Sequence, residues 1–215
     1  FNDGATADSI VYVAEGAVVS PPAAAAPEGK HLAGWRAEGA IENWNFAENT
    51  VTEDVTLVAV WENVIYTITY HVGDGEKGDN PSSYTIDSSA IAFSDARMQY
   101  YDFEGWFRSY EEATGEYADP ITGIPAGSTG DVVVYAKFTP SQYEIVYNGL
   151  RGAGHDNLGT ISIHTDATLT PPADIEDAVF DGWYLDAQFT RPVSGLNADL
   201  LSALDGSGKL QLYAK

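Results

Sequence analysis

The sequence predicts a mainly β or α+β fold, built from three tandem β-rich repeats in an elongated array. Aromatic residues make up 12% of the 215-residue chain, a share that favours strands over helices. Three sequence motifs also recur in the same order along the chain, as expected of a repeat protein. With 21 Gly and 10 Pro residues, the chain has the composition of a protein rich in turns.

The central motif is an aromatic residue or Leu, any residue, and then Gly-Trp. It occurs three times and ends at Trp35, Trp106 and Trp183. A Gly inside a strand costs stability unless a bulge or a close approach requires it, so its recurrence predicts such a requirement. Regular alternation places Phe103 and Gly105 on one face and Trp106 on the other. We expect all three Trp side chains to lie in the core.

Two alternating motifs flank each Gly-Trp. The first occurs at Tyr66–Tyr70 and at Tyr143–Tyr147, and only its end, Phe1, is present in the first copy. The closing motif occurs at 54–61, 131–138 and 209–215. Alternation with period two predicts strands with one buried face. The motifs define repeats at residues 1–62 (first strand truncated), 63–139 and 140–215.

The segments between these motifs are more variable. The polar residues after each Gly-Trp, such as 111–115 and 186–189, predict hairpins or loops. Residues 197–205 predict one short helix, with Asn197 as its N-cap and Leu200, Leu201 and Leu204 on one face.

Charge and cysteine content exclude several classes of function. The chain has 32 acidic and 10 basic residues, a formal net charge of −22, which disfavours nucleic acids and anionic membranes as partners. The absence of cysteine argues against a small disulfide-stabilised secreted domain. The sequence shows no transmembrane run, signal peptide or sorting motif. We expect a monomer that does not insert into a membrane.

No pattern of catalytic or metal-binding residues is present in the sequence. The four His residues, at positions 31, 71, 155 and 164, do not have the spacing of metal ligands. The acidic segment 74–80 lacks the length and the closing Glu of a calcium loop, which favours a solvated turn. A nucleophile elbow is also absent. We therefore expect no enzymatic activity, no metal and no cofactor.

The order of the motifs resembles the internalin B-repeat, also called the Listeria–Bacteroides repeat, of bacterial surface proteins. The best matches are Phe180–Tyr184 with Leu212–Lys215, followed by Phe103–Phe107 with Val134–Phe138. The resemblance implies a small β-grasp-like module found in tandem at the bacterial cell surface or in secreted proteins. It also implies a stalk or an adhesion role without enzymatic activity.

Aromatic residues outside the recurring motifs are the candidate ligand contacts: Trp44, Tyr100, Tyr101, Tyr110 and Tyr117. Exposed aromatic rings suit sugars and protein partners, although the same rings could instead cover the small cores of the repeats. The candidate partners are host or environmental glycans or proteins. Two alternatives to a stalk or adhesion segment stay open: a carbohydrate- or mucin-binding module, and an accessory region of a large secreted enzyme.

Overall fold

The computed structural model describes residues 1–174 and 178–215, and this part of the chain is mainly β. The strands are β1 (Lys30–Ala37), β2 (Leu57–Asn63), β3 (Tyr66–His71), β4 (Ser83–Tyr84), β5 (Ile91–Ala92), β6 (Tyr101–Glu111), β7 (Glu116–Ile121), β8 (Gly123–Ile124), β9 (Val132–Pro140), β10 (Tyr143–Asn148), β11 (Thr160–Ile161), β12 (Ala167–Thr168), β13 (Trp183–Tyr184), β14 (Pro192–Val193), β15 (Gly195–Leu196) and β16 (Leu210–Ala214). The described helical structure is a 3-10 helix, Ala198–Ala203. The mainly β prediction is confirmed.

The chain divides into two compact units. One contains Phe1–His71, Asp79–Ser94 and Phe107–Tyr135; the other contains Val72–Gly78, Asp95–Trp106 and Ala136–Lys215. Residues 1–62, 63–139 and 140–215 are called below the first, second and third segments.

The second and third segments contain five-stranded sheets with matching strand orders. The order is β4-β3-β9-β6-β7 in one and β11-β10-β16-β13-β14 in the other. In each sheet the opening strand runs parallel to the closing strand, so that Ile68 lies opposite Val132 and Ile145 lies opposite Leu210. A short second pair accompanies each sheet, β5 with β8 and β12 with β15.

The first segment contains a smaller version of this arrangement. Strands β1 and β2 pair antiparallel, with a shift in register between Leu32 and Gly34. Asn2 bridges Val58 in parallel, and Ala17 bridges Val51 antiparallel. The shift shows that the first Gly-Trp strand does contain the irregularity that its Gly predicted.

The burial of alternate strand residues and of the three recurring Trp side chains agrees with the sequence-based predictions. Val132, Val134 and Ala136 are buried on the closing strand while Val133 between them is exposed, and Ile68 and Ile145 are buried on the opening strands. Trp35, Trp106 and Trp183 are all buried. In the third segment the core also takes in Leu200 and Leu201 of the 3-10 helix, whose N-cap Asn197 accepts a hydrogen bond from the Asp199 N–H.

The predicted position of Trp106, on the face opposite Phe103, is wrong. The Phe103 and Trp106 rings meet edge to face with centroids 5.4 Å apart, and Phe180 and Trp183 do the same at 5.4 Å. The intervening Gly105 and Gly182 have φ of +138° and +141°, outside the torsions of a regular strand. The glycine therefore changes the alternation and brings both rings onto one side.

Candidate functional site

Five aromatic side chains form a continuous patch in the second segment, called here the aromatic face. The rings belong to His71 on β3, Phe107 and Tyr110 on β6, Tyr117 on β7 and Tyr135 on β9. Tyr135 lies between the buried residues Val134 and Ala136, so strand alternation directs its ring away from the core.

The rings of the aromatic face are in mutual contact. His71 and Tyr135 stack with centroids 4.6 Å apart and planes 10° apart. Tyr135 lies 6.1 Å from Tyr110, which lies 4.7 Å from Tyr117, and Tyr117 lies 5.4 Å from Phe107. Such a row can stack against the apolar face of a sugar ring or against a flat side chain, while its hydroxyl and imidazole groups can form hydrogen bonds.

The surroundings of the aromatic face are acidic and open. Tyr110 and His71 are exposed, and so are the acidic residues Glu111, Glu112 and Glu116, which are close to Tyr110 and Tyr117 in the sequence. Burial, with a smaller contribution from Tyr110, raises the pKa of Tyr117. Its hydroxyl therefore remains a neutral hydrogen-bond donor at physiological pH. The acidic rim disfavours negatively charged ligands.

The structure brings Tyr110 and Tyr117 together, as two of the five aromatic residues singled out in the sequence. It also adds His71, Phe107 and Tyr135, which the sequence reasoning did not select because they lie within the recurring motifs. The sequence pattern could have indicated two of the three, because His71 and Tyr135 occupy the outward-facing positions of alternating strands.

Tyr100 and Tyr101 contact the third segment, at a place called here the second joint. The Tyr101 hydroxyl lies 3.2 Å from His164 Nε2, and the Tyr100 ring packs edge to face on Tyr143 with centroids 6.3 Å apart. The Ser141 N–H donates to the Tyr100 carbonyl at 3.0 Å, and the Ser141 hydroxyl donates to Asp102 at 2.7 Å.

A matching set of contacts, the first joint, connects the first and second segments. The Val64 N–H donates to the Gly29 carbonyl at 2.8 Å. Lys30 Nζ donates to Asn63 at 2.5 Å and forms an ion pair with Asp87 at 2.6 Å. Hydrogen bonding by Lys30, followed by that of Asn63, lowers the pKa of the Asp87 carboxyl.

The two joints use equivalent positions. Lys30 and Tyr101 each lie five residues before the Trp of their motif, and Asp87 and His164 each follow an Ile in a short turn. A hydrogen bond closes each of these turns. The Thr85 N–H donates to Ser88 Oγ at 2.9 Å in one turn, and the Ser162 N–H donates to Thr165 Oγ1 at 2.8 Å in the other. Gly29 and Tyr100, which precede Lys30 and Tyr101, have φ of +69° and +66°.

Trp44 lies apart from the aromatic face, on the first segment. It is half-buried, and its backbone N–H donates to the Trp35 carbonyl at 2.6 Å. Its indole N–H is buried and has no hydrogen-bond partner within residues 1–174 and 178–215.

Among the described residues, no three His, Asp or Glu side chains come close enough to hold a metal ion. Residues 73–75 of the acidic segment form a turn, after which Glu76 bridges Arg97. In the described part of the chain, no helix has the length and apolar character needed to cross a membrane.

The model of the Listeria-Bacteroides repeat domain matches residues 1–60 and 66–137. The chain belongs to this family. The family is typical of non-catalytic bacterial surface proteins, and it covers the first two of the segments described above.

Two relatives come from Evansella cellulosilytica. A protein named "Putative membrane protein" is 27% identical over 81% of this chain and 25% of its own length. A protein named "Putative Gly-rich membrane protein" is 25% identical over 88% of this chain and 21% of its own length. This chain thus spans about a quarter or less of the relatives it matches. No solved structure matches it.

Proposed function

We propose that this Listeria-Bacteroides repeat chain is a non-catalytic spacer segment of a bacterial cell-surface protein, made of three tandem β-grasp-like repeats in an elongated array. The observation that carries the proposal is the recurrence of one joint geometry at both boundaries between segments. A spacer needs each repeat held by its neighbour, and equivalent contacts at equivalent positions meet that need.

The connections between segments are short, which restricts how far neighbouring segments can move apart. Two residues separate β2 from β3, and two separate β9 from β10. A flexible linker would need a longer stretch rich in Gly and Ser. Because the connecting backbone itself takes part in each joint, through Val64 and Ser141, bending would have to break hydrogen bonds.

The charge of the chain supports a surface location. A net charge of −22 gives strong mutual repulsion between neighbouring molecules. Repulsion of this kind keeps crowded surface proteins soluble and apart. The membrane proteins among the relatives support an extracellular setting at the cell surface.

Distance measurements by pulsed electron paramagnetic resonance test the spacer proposal. The chain has no cysteine, so Cys residues introduced at the exposed positions Glu53 and Thr114 would carry the only two spin labels. The matched variants are Gly29→Ala and Gly39→Ala, since both glycines have positive φ. A Cβ on Gly29 would lie 2.6 Å from Ile86, whereas a Cβ on Gly39 would meet no atom within 4 Å.

We expect a narrow distance distribution in the unmodified chain and in Gly39→Ala, and a broad one in Gly29→Ala. A broad distribution in the unmodified chain would contradict the spacer proposal, because the first joint would then not hold the two segments.

The aromatic face supports a second candidate function, the binding of neutral glycans. Five contacting rings with an acidic rim favour uncharged sugars over sulfated or sialylated ones. Binding to a glycan and mucin panel should therefore be lost in Tyr110→Ala and Tyr117→Ala and retained in Tyr12→Ala, whose side chain is 93% exposed outside the face. Equal binding by all three variants, or a preference for acidic glycans, would exclude this role.

A further inference from the structure

The first joint brings an amine, an amide and a carboxylate together in one place, called here the lysine cluster. Lys30 Nζ lies 2.5 Å from Asn63 Oδ1 and 2.6 Å from Asp87 Oδ2. Asn63 Nδ2 lies 2.9 Å from the same Asp87 oxygen. All three residues belong to one compact unit of the chain. A single carboxylate oxygen therefore contacts both the amine nitrogen and the amide nitrogen.

The backbone holds the lysine cluster in this arrangement. Lys30 and Asn63 lie directly opposite each other in the antiparallel pair of β1 and β2, and side chains of opposed residues lie on one face of such a pair. Asp87 lies in the turn that is closed by the hydrogen bond between Thr85 and Ser88. Each of the three groups is thus carried by backbone that has hydrogen bonds of its own.

Packing around the lysine cluster limits the freedom of its side chains. The Lys30 side chain is only 27% exposed, and Asn63 is half-buried. Next to Lys30, a Cβ added to Gly29 would lie 2.6 Å from Ile86, so the backbone there is closely packed. Groups that a fold holds at contact distance react as if they were at very high concentration. Because Lys30 Nζ touches Asn63 Oδ1, it lies next to the amide carbon that carries this oxygen.

Asp87 is placed to carry protons between the two nitrogens. Hydrogen bonding by Lys30, followed by that of Asn63, lowers the pKa of the Asp87 carboxyl. The carboxylate is therefore the form present at neutral pH, and it acts first as a base. Its Oδ2 can take a proton from Lys30 Nζ and return it to Asn63 Nδ2, which is the role of a general acid–base group. This return matters because an amide nitrogen leaves only after it has been protonated.

We propose that Lys30 and Asn63 join through an intramolecular isopeptide bond, with Asp87 transferring the protons. The bond between Lys30 Nζ and Asn63 Cγ forms, and the bond between Asn63 Cγ and Nδ2 breaks. Nζ gives up two protons, which pass through Asp87 to Nδ2, and this nitrogen leaves as an ammonium ion. One amide is exchanged for another, so no electrons are transferred. The inference goes beyond the spacer role and does not depend on it.

The new bond connects the two strands of the first segment covalently. It closes the stretch from residue 30 to residue 63 into a loop, and a cross-link of this kind stabilises a protein by restricting its unfolded chain, as a disulfide does. The chain has no cysteine from which to form a disulfide. The isopeptide bond supplies the same kind of restraint from an amine and an amide.

Intact mass spectrometry of the whole chain, incubated overnight in mildly alkaline buffer, tests the proposal. The mass should be lower than that of the sequence by about 17 Da, the mass of one ammonia, and peptide fragmentation should locate the loss at Lys30 and Asn63. The variants Lys30→Arg and Asp87→Asn should keep the full mass. The matched control is Lys209→Arg, because Lys209 also forms an ion pair, with Glu144 at 2.7 Å. This control should show the same loss as the unmodified chain.

The unmodified chain decides the outcome by itself, so the test does not depend on whether the variants fold, which circular dichroism checks. A full mass in the unmodified chain would overturn the proposal, and so would a loss located at other residues. An equal loss in Lys30→Arg would exclude Lys30 as the attacking amine, and an equal loss in Asp87→Asn would exclude proton transfer by Asp87.

Discussion

At the scale of single residues, the second and third segments repeat individual side-chain contacts as well as motifs. The Tyr70 hydroxyl donates to the Pro81 carbonyl at 2.9 Å and the Tyr147 hydroxyl to the Leu158 carbonyl at 2.7 Å, each across 11 residues. Asn80 bonds the backbone N–H and carbonyl of Ser94, as Asn157 bonds those of Thr170. Apart from Tyr70 and Tyr147, the residues of these pairs lie outside the recurring motifs, so the contacts support a common fold of the two segments beyond the motifs themselves.

The burial of Trp106 makes its removal costly. We expect Trp106→Ala to lower the free energy of unfolding of the second segment by about 3–5 kcal/mol, because the mutation removes buried surface and leaves a cavity. Urea unfolding followed by circular dichroism measures the loss. Tyr12→Ala, at an exposed site, serves as control and should change stability by less than about 0.5 kcal/mol. An equally small change in both variants would contradict the assignment of Trp106 to the core.

Two half-buried tyrosines, Tyr70 and Tyr147, predict a loss of stability in alkali. Burial raises the pKa of Tyr70 and of Tyr147 to about 12, from an ordinary value of about 10. An unfolded chain therefore loses these protons first, so stability is complete below pH 10 and decreases as the pH rises from 10 to 12.

The matching variant is Tyr70→Phe combined with Tyr147→Phe. It should be less stable at neutral pH, by about 1 kcal/mol for each lost hydrogen bond, and its stability should depend less on pH between 10 and 12. Urea midpoints at pH 8 and pH 11 give the comparison. An unchanged pH dependence would show that other groups cause the alkaline loss.

At the scale of the element, the Gly-Trp strand shows which structural features could be predicted from the sequence and which could not. The recurrence of Gly correctly predicted an irregular backbone there, and alternation correctly assigned the faces of the opening and closing strands. The face of Trp106 could not be predicted in the same way. Counting by twos assumes regular strand torsions, and the positive φ of Gly105 breaks that assumption at the residue just before the Trp.

The backbone of this strand predicts the effect of an added methyl group. Gly182 has φ of +141°, and a Cβ there would meet only the Tyr184 ring, at 3.6 Å, which is ordinary contact. Gly182→Ala should therefore cost about 1–3 kcal/mol through backbone strain alone. The control is Gly206→Ala, in the same segment, where φ is not positive and no atom lies within 4 Å. Thermal unfolding compares them, and equal stability of the two variants would contradict the strain argument.

At the scale of the whole molecule, the division into three repeats stays a prediction, and the contacts of the two joints could not be predicted from the sequence. Lys30 and Asp87 are separated by 57 residues, and Tyr101 and His164 by 63. An ion pair in one joint is replaced by a tyrosine–histidine contact in the other, so no shared residue type marks the position. The aromatic face was predicted only in part for a related reason, since His71 and Tyr135 belong to motifs whose recurrence suggested a structural role.

The central proposal is that the chain is a linear array of three repeats, and small-angle X-ray scattering of the whole chain in solution tests it most directly. Three touching repeats in a row should give a radius of gyration of roughly 25 Å, whereas a compact 215-residue chain should give about 17 Å. We expect the larger value, together with a pair-distance distribution that has the long tail of a rod. A radius near the smaller value would contradict the account, because the segments would then pack into one globular domain.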